Sequence, residues 1–257
     1  MPASTPGISV SVCIPARNEA ATVGELVASV LEHPGATEVL VLDHASWDNT
    51  ADIAAAAGAS VLPADDILAG FGPALGKGDV LWRSVHVAQG EVIVWLDADL
   101  RSYSHEYLTR LIEPLADDDA IAMVRPDYPR TFHGQPTGGG RVTESTARPA
   151  LRSWHPHLAH IRQPLAGEYA IRRAVATSVP FEIDYGVEIG LLIDVAERCG
   201  TASIAQVPLP PRVHRNRPDH ELREPADQVL RTALSRVGLR PVKARPPLRT
   251  VASAAVG

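Results

Sequence analysis

The sequence predicts an α/β fold with a mostly parallel central sheet flanked by helices. Three observations carry that reading. Short apolar, β-branched runs alternate with segments of helical periodicity along the first hundred residues. The runs are apolar nearly throughout rather than at every second residue, as in strands covered on both faces. Each of the principal runs also stops at polar or charged residues, which places chemistry along one edge of the sheet.

In order, Ile8 to Ile14 alternates and stops at Pro15, a first strand. The loop Ala16-Arg17-Asn18-Glu19 leads to a helix over Ala20 to Glu32, with Val23, Leu26, Val27, Val30 and Leu31 at helical spacing. Val39 to Leu42 is a second strand, ending in Asp43-His44-Ala45-Ser46, and an alanine-rich helix runs from Asp48-Asn49-Thr50 to Ala57, stopped by Gly58. Ser60 to Leu62 is a short third strand. A Gly/Pro-rich loop, Gly70 to Gly78, precedes a helix over Asp79 to Ala88 and a fourth strand from Glu91 to Asp97. Its end delivers Asp97 and Asp99 one residue apart, so both can point the same way while Ala98 points elsewhere.

Beyond Asp99 the alternation loosens. The pattern predicts a helix over Tyr107 to Leu115, a strand over Ala120 to Val124, and an irregular loop over Tyr128 to Gly140. A helix interrupted at Pro149 follows over Thr143 to Leu151, then a strand over Glu168 to Ile171, an apolar helix over Val187 to Cys199 and a strand over Ala202 to Val207. Pro208-Leu209-Pro210-Pro211 stiffens the approach to Arg212-Val213-His214-Arg215-Asn216. Glu221 to Val237 reads as an exposed amphipathic helix whose stripe of Val229, Leu230, Ala233, Leu234 and Val237 packs on the domain or on a second subunit. The division is one domain over residues 1–238, a donor half at about 8–100 and an acceptor half at about 101–238, with residues 239–257 a flexible tail.

Composition narrows the function. With 257 residues and 45% hydrophobic content the chain has ample material for a core, and its net charge of -6 with a pI near 5.9 argues against general nucleic-acid binding. Two cysteines, Cys13 and Cys199, lie in apolar runs without a C-x-x-C, which reads as buried thiols in a reducing compartment rather than a disulfide or zinc framework. Met1 to Gly7 have neither a basic segment nor an apolar one, and no run reaches membrane-spanning length, so a soluble cytoplasmic protein is expected.

Two carboxylates at a strand end are hard oxygen donors suited to Mg2+ or Mn2+ bound together with a diphosphate. Taken alone, D-x-D is more often a pair of solvated turn residues. Two rival phosphate motifs fail. Gly72 to Gly78 has only three residues between its first two glycines, where a P-loop has four, and ends in Gly78 where that loop needs Ser or Thr. Gly70-Phe71-Gly72 lacks the third glycine of a dinucleotide fingerprint, because Leu75 stands there. What remains is a flexible loop presenting Lys77 to a diphosphate, with a solvated surface lysine as the bland alternative.

Pro15-Ala16-Arg17-Asn18-Glu19, Asp43, Gly76-Lys77-Gly78 and Asp97-Ala98-Asp99 resemble the donor half of a GT-A glycosyltransferase. Gly138 to Glu144, Gln163 to Ala170, Tyr185-Gly186-Val187-Glu188-Ile189 and Arg212 to Asn216 resemble, more narrowly, the glucosyl-3-phosphoglycerate synthases, over about residues 8–238. The resemblance implies a GT-A fold and a retaining, metal-dependent transfer of glucose from UDP-glucose to the 2-hydroxyl of 3-phosphoglycerate. It implies donor binding by Pro15, Ala16, Arg17, Glu19, Asp43, His44, Gly76, Lys77, Asp97 and Ala98. Acceptor binding falls to Gly140, Arg141, Val142, Thr143, Tyr185, Arg212 and Asn216. Asp99 and His214 would hold Mg2+ or Mn2+, and Glu188, Lys77 and Asp99 would act catalytically. Glycines freeing backbone amides, a forked guanidinium and a hydroxyl in succession also suit a phosphate on chemical grounds. Departures from the family pattern are Arg17, where an apolar residue is usual, and Ala98, where serine is. The family also implies a homodimer. The alternatives are a mannosyl-3-phosphoglycerate synthase using GDP-mannose, a specialised-metabolism transferase with a related phosphorylated acceptor, a nucleotidyltransferase, and a nucleotide-sugar binding module without catalysis.

Overall fold

A computed structural model describes residues 7–101, 103–130, 140–212, 219–239 and 244–250. Apolar runs form β1 (Val10–Ala16), β2 (Glu38–Asp43) and β3 (Ser60–Pro63), joined through helices α1 (Val23–Leu31) and α2 (Thr50–Ala56). Next come α3 (Lys77–Val87), β4 (Val92–Trp95), α4 (His105–Asp117) and β5 (Met123–Asp127). A π-helical turn, Thr143–Ala147, runs into α5 (Arg148–Trp154), followed by β6 (Tyr169–Arg172), the single turn α6 (Arg173–Ala176) and β7 (Phe181–Glu182). The chain continues with α7 (Val187–Cys199), β8 (Ile204–Pro208), α8 (Arg223–Ser235) and β9 (Ala244–Arg245).

Seven strands make one sheet in the order β3-β2-β1-β4-β6-β5-β8, parallel except for β6, which runs antiparallel to both neighbours. This is the mostly parallel sheet expected. Successive strand residues feed opposite faces, and the core divides accordingly. Val12, Ile14, Val92 and Val94 pack with α1 and α4, through Leu26, Val27, Leu108 and Leu111. Cys13, Leu40, Leu42, Ile93 and Trp95 pack with α3 and α7, through Leu81, Trp82, Leu191 and Leu192. Burial on both faces explains why these strands are apolar throughout. Burial also pushes the Cys13 thiol far above the usual range, helped by the Glu38 charge and opposed by a hydrogen bond with Ser84.

Several boundaries shift for identifiable reasons. β4 ends at Trp95 rather than Asp97, because Leu100 N–H bonds the Asp97 carbonyl at 3.1 Å and folds Asp97 to Asp99 into a turn. Helix α3 begins at Lys77, so this lysine opens a helix instead of riding a loop. Strand β5 starts at Met123, because Ala120 N–H and Ile121 N–H both bond back to Asp118 and hold the preceding residues in a turn. Pro149 does not interrupt its helix; it sits in the first turn of α5, where its missing N–H is tolerated. Cys199 is exposed at the end of α7, correcting its placement in the core. Val229 and Ala233 of α8 are buried against the domain itself, with Leu230 packed beside them.

Residues 244–250 correct the expectation of a flexible tail for that stretch. Strand β9 pairs with β7 (Phe181 opposite Arg245), Trp82 Nε1–H donates to Pro246 O at 2.9 Å, and Leu248 enters the core. No helix among the described residues is long and apolar enough to cross a membrane.

Close packing of α3 on β7 gives a test of the frame. A Cβ at Gly78 would overlap the Glu182 carbonyl oxygen. Gly78→Ala is therefore expected to lower stability by roughly 1–3 kcal/mol, the usual cost of overpacking, read as a fall in the thermal midpoint.

Candidate active site

Beyond the carboxyl ends of β1 and β4 lies a cavity of about 570 Å³. Of the expected site residues within the described chain, all but Asp43 line it. His214 and Asn216 fall outside the described residues.

One wall of the cavity is built on Asp97. Its Oδ1 accepts from Lys77 Nζ at 2.7 Å and its Oδ2 from Arg212 Nη2 at 2.7 Å. Gly167 packs so closely that a Cβ there would overlap the carboxylate. Burial alone would raise this carboxyl, but the Lys77 and Arg212 charges prevail and hold it well below the usual range. Lys77 Nζ lies 2.8 Å from Glu188 Oε1, so the acid at the head of α7 has the buried cation that its sequence position demanded. Burial would lower the Lys77 ammonium; Asp97 and Glu188 together carry it well above its ordinary value. Lys77 is therefore a fixed positive charge at the N-terminus of α3, where the helix dipole adds to it.

Arg212, expected on the acceptor side, lines the cavity and pairs with carboxylates. It is 4% exposed, its Nη2 also lies 3.2 Å from Asp99 Oδ1, and its Nε forms an ion pair with Glu168 Oε1 at 2.6 Å. Burial would lower the guanidinium, but Glu168 and Asp97 outweigh it and the group stays charged. Asp97 and Asp99 thus converge on one guanidinium, from a turn rather than from the alternation of a strand. Tyr128 Oη–H donates to Glu168 Oε2 at 2.5 Å, and Arg130 reaches Gln163 Oε1 at 3.1 Å and Leu165 O at 3.2 Å. Sequence reasoning missed Tyr128, Arg130 and Glu168 as site residues. They meet Arg212 only because residues 130 and 212 bridge as parallel strands beyond β5 and β8.

At the outer end of this wall, Asn18 adopts a left-handed conformation (φ 58°), and its Oδ1 accepts from Trp47 N–H at 2.9 Å. Its own N–H donates to Ser46 Oγ at 3.0 Å. His44 N–H bonds the Ala16 carbonyl at 2.9 Å, and its Nε2 is 3.1 Å from Ala74 O, which ties the loop before Lys77 to the end of β2. Asp43, expected to contact the donor, is off the cavity lining. Its Oδ2 accepts from Ser46 N–H at 3.3 Å, and its buried Oδ1 has no hydrogen-bond partner among the described residues.

Gly140 to Thr143 also line the cavity. Gly140 has φ +72°, a conformation glycine adopts without strain, and its carbonyl accepts from Glu144 N–H at 3.0 Å. Arg141 and Val142 then enter the helical run at the cavity edge, with Thr143 buried behind them. Tyr185 and Glu188 line the cavity as well.

The residues suit a divalent ion held with a diphosphate. Both Asp97 oxygens are engaged by cations, whereas the Asp99 carboxylate is about 31% exposed on the same wall. Asp99 is therefore the better hard-oxygen ligand of the two. Among the described residues no three His, Cys, Asp or Glu side chains cluster to hold a metal by themselves, so ligands from substrate oxygens fit the chemistry.

Residues 11–160 match the family described as Glycosyl transferase family 2. The glucosyl-3-phosphoglycerate synthase of Mycolicibacterium smegmatis is 44% identical over 243 residues, covering 92% of this chain and 80% of the relative. That of Petrotoga mobilis is 39% identical, covering 90% and 74%. A crystal structure of the Mycobacterium tuberculosis glucosyl-3-phosphoglycerate synthase with Mn2+, UDP-glucose and phosphoglyceric acid superposes with a TM-score of 0.88 at 39% identity, over 95% of this chain and 92% of that one. A cavity at the sheet edge, a mostly parallel sheet with one reversed strand, and relatives alike over most of their length agree: the chain belongs to glycosyl transferase family 2 and, within it, to the glucosyl-3-phosphoglycerate synthases.

Proposed function

We propose that this chain transfers glucose from UDP-glucose to the 2-hydroxyl of 3-phosphoglycerate, with retention at the anomeric carbon, releasing UDP. The observation that carries the reading is one cavity lined both by Asp97, Asp99 and Lys77 and by Gly140 to Thr143. Relatives whose structures hold Mn2+, UDP-glucose and phosphoglyceric acid, or Mg2+ and UDP, support the same substrates and ion.

In this reading Pro15 to Glu19 and His44 receive the nucleoside, and Lys77 faces the diphosphate. Asp99, with Asp97 beside it, holds Mg2+ or Mn2+, and His214 completes the set. When bound, the ion offsets charge on the leaving diphosphate. Lys77 does the same from a position fixed by two carboxylates, so its stabilisation grows as the leaving group gains charge and needs no rearrangement. Arg141 and Thr143 grip the acceptor phosphate and aim the 2-hydroxyl, which converts encounter into orientation.

Glu188 is held by Lys77 at 2.8 Å and is suited to orienting rather than attacking. Retention then proceeds by front-face attack. The acceptor 2-oxygen bonds to the anomeric carbon as the bond to the β-phosphate oxygen breaks, and the hydroxyl proton passes to that phosphate. We also propose a cytoplasmic homodimer. The free thiols, one of them exposed, suit a reducing compartment, and the family resemblance supports the dimer.

The deciding experiment incubates the protein with 3-phosphoglycerate, Mg2+ and either UDP-glucose or GDP-mannose. UDP release that needs both acceptor and metal, and ceases on chelation, is the expected result; turnover with GDP-mannose alone, or nucleotide binding without turnover, overturns it. Arg141→Ala is expected to raise the acceptor KM at least about tenfold, the worth of a charge-assisted phosphate contact, with the UDP-glucose KM little changed. A matching loss of donor binding would show that the walls are assigned the wrong way round.

A further inference from the structure

The C-terminal segment 244–250 closes on the turn that presents Lys77, and it does so through one guanidinium. Arg245 grips Asp79 with two hydrogen bonds, Nε–H to Oδ1 at 2.9 Å and Nη2–H to Oδ2 at 2.7 Å. Asp79 is fully buried, and its Oδ2 also accepts the Leu75 N–H at 3.0 Å. Asp79 therefore fixes the turn Leu75-Gly76 that enters α3, and Lys77 is the next residue. The same turn is clamped from below. Asp79 N–H donates to the carbonyl of Ile183, just beyond β7, at 3.0 Å, and Gly78 lies on the carbonyl of Glu182, the last residue of that strand, which pairs with the segment carrying Arg245.

Aromatic packing locks the guanidinium. Its carbon lies 5.6 Å from the Phe71 ring centroid and 5.5 Å from that of Trp82. Arg83, also on α3, adds an Asp79 contact at 3.4 Å and bonds the carbonyls of Ala64, Ile67 and Gly72, pinning the loop in front. Burial would raise the Asp79 carboxyl; the Arg245 hydrogen bonds, the Leu75 amide and the two guanidinium charges bring it below its ordinary value, so it remains a charged acceptor.

We infer that Arg245 is a positioning residue for the transfer, acting through Asp79 to hold the Leu75-Gly76-Lys77 turn in register with Asp97. The C-terminal segment is in effect a strap across the donor wall. The Arg245 contacts gather on the Phe71 to Trp82 stretch around Lys77, so its loss is expected on the donor side. This rests on the reading of Lys77 as the group facing the diphosphate.

The test compares Arg245→Ala, Arg245→Lys and Trp82→Phe in the full-length protein by steady-state kinetics, amide hydrogen exchange over residues 74–79 and thermal melting. Arg245→Ala is expected to exchange faster at the Leu75 and Asp79 amides and to lose roughly tenfold in kcat, with the 3-phosphoglycerate KM within about twofold, as a misplaced catalytic group does. Arg245→Lys keeps the charge but not the fork and is expected to recover only part of that loss. Trp82→Phe, which removes the bond to Pro246 but leaves Arg245, is expected to raise exchange at the same amides to a smaller degree and covers the case in which Arg245→Ala does not fold. Unchanged exchange in the folded variants overturns the inference, as does a kcat loss that tracks only the unfolded fraction at the assay temperature. If the wild-type protein turns over no UDP-glucose, the proposed function fails, while exchange at Leu75 still decides whether the strap exists.

Discussion

Asp97 cannot be charged and largely enclosed without two cations, and it has them in Lys77 and Arg212. Much of the cleft follows from that clasp. Lys77 must come from the first turn of α3, so the loop from Gly70 to Gly76 has to end at the sheet edge. Arg212 must come from the chain after β8, so this segment closes onto the turn after β4 through an ion pair and not only through apolar packing. Glu188 and Glu168 then balance the outer sides of the two cations. Removing one member of such a set leaves an uncompensated buried charge, which is why four carboxylates and two cations stand or fall together.

The clasp also explains a division of labour along D-x-D. Asp97 is an anchor with both oxygens taken by protein cations. Asp99 shares Arg212 at the longer distance of 3.2 Å and faces the cavity, where a hard cation and substrate oxygens can meet it. Ala98, where the family usually has serine, is 4% exposed and packs with Val94 and Leu96 in the core behind the wall. Its carbonyl accepts from Thr22 Oγ1 at 2.8 Å, so the turn is fixed by its backbone and does not need a side-chain hydroxyl at that position. Arg17, the other departure, is exposed at the rim.

Much of the donor half was legible because the signal is local. A buried parallel strand has to be apolar on both faces, and its polar end then stands out; β1, β2 and β4 were each read this way. Gly140 to Thr143 was singled out by residue type alone, and all four residues line the cavity. What escaped was non-local. Tyr128, Arg130 and Glu168 look like ordinary loop and strand residues until β6 inserts antiparallel between β4 and β5 and residue 130 pairs with residue 212. Arg212 was assigned to the acceptor from the family resemblance, and nothing in its neighbouring sequence announces the three carboxylates it meets, two from the turn after β4 and one just before β6. The docking of residues 244–250 was invisible for a related reason. Two strand residues and a guanidinium carry no periodicity, and their partners lie more than sixty residues away in β7 and α3.

The clasp is tested most directly by Asp97→Asn, which keeps the shape and leaves Glu188 to hold Lys77. With Mg2+, UDP-glucose and 3-phosphoglycerate, the account predicts a kcat lower by roughly a hundredfold or more, the scale of losing preorganised charge around a leaving group. Calorimetric binding of 3-phosphoglycerate should stay close to that of the wild type. Near wild-type turnover, or lost 3-phosphoglycerate binding with intact UDP binding, would contradict it.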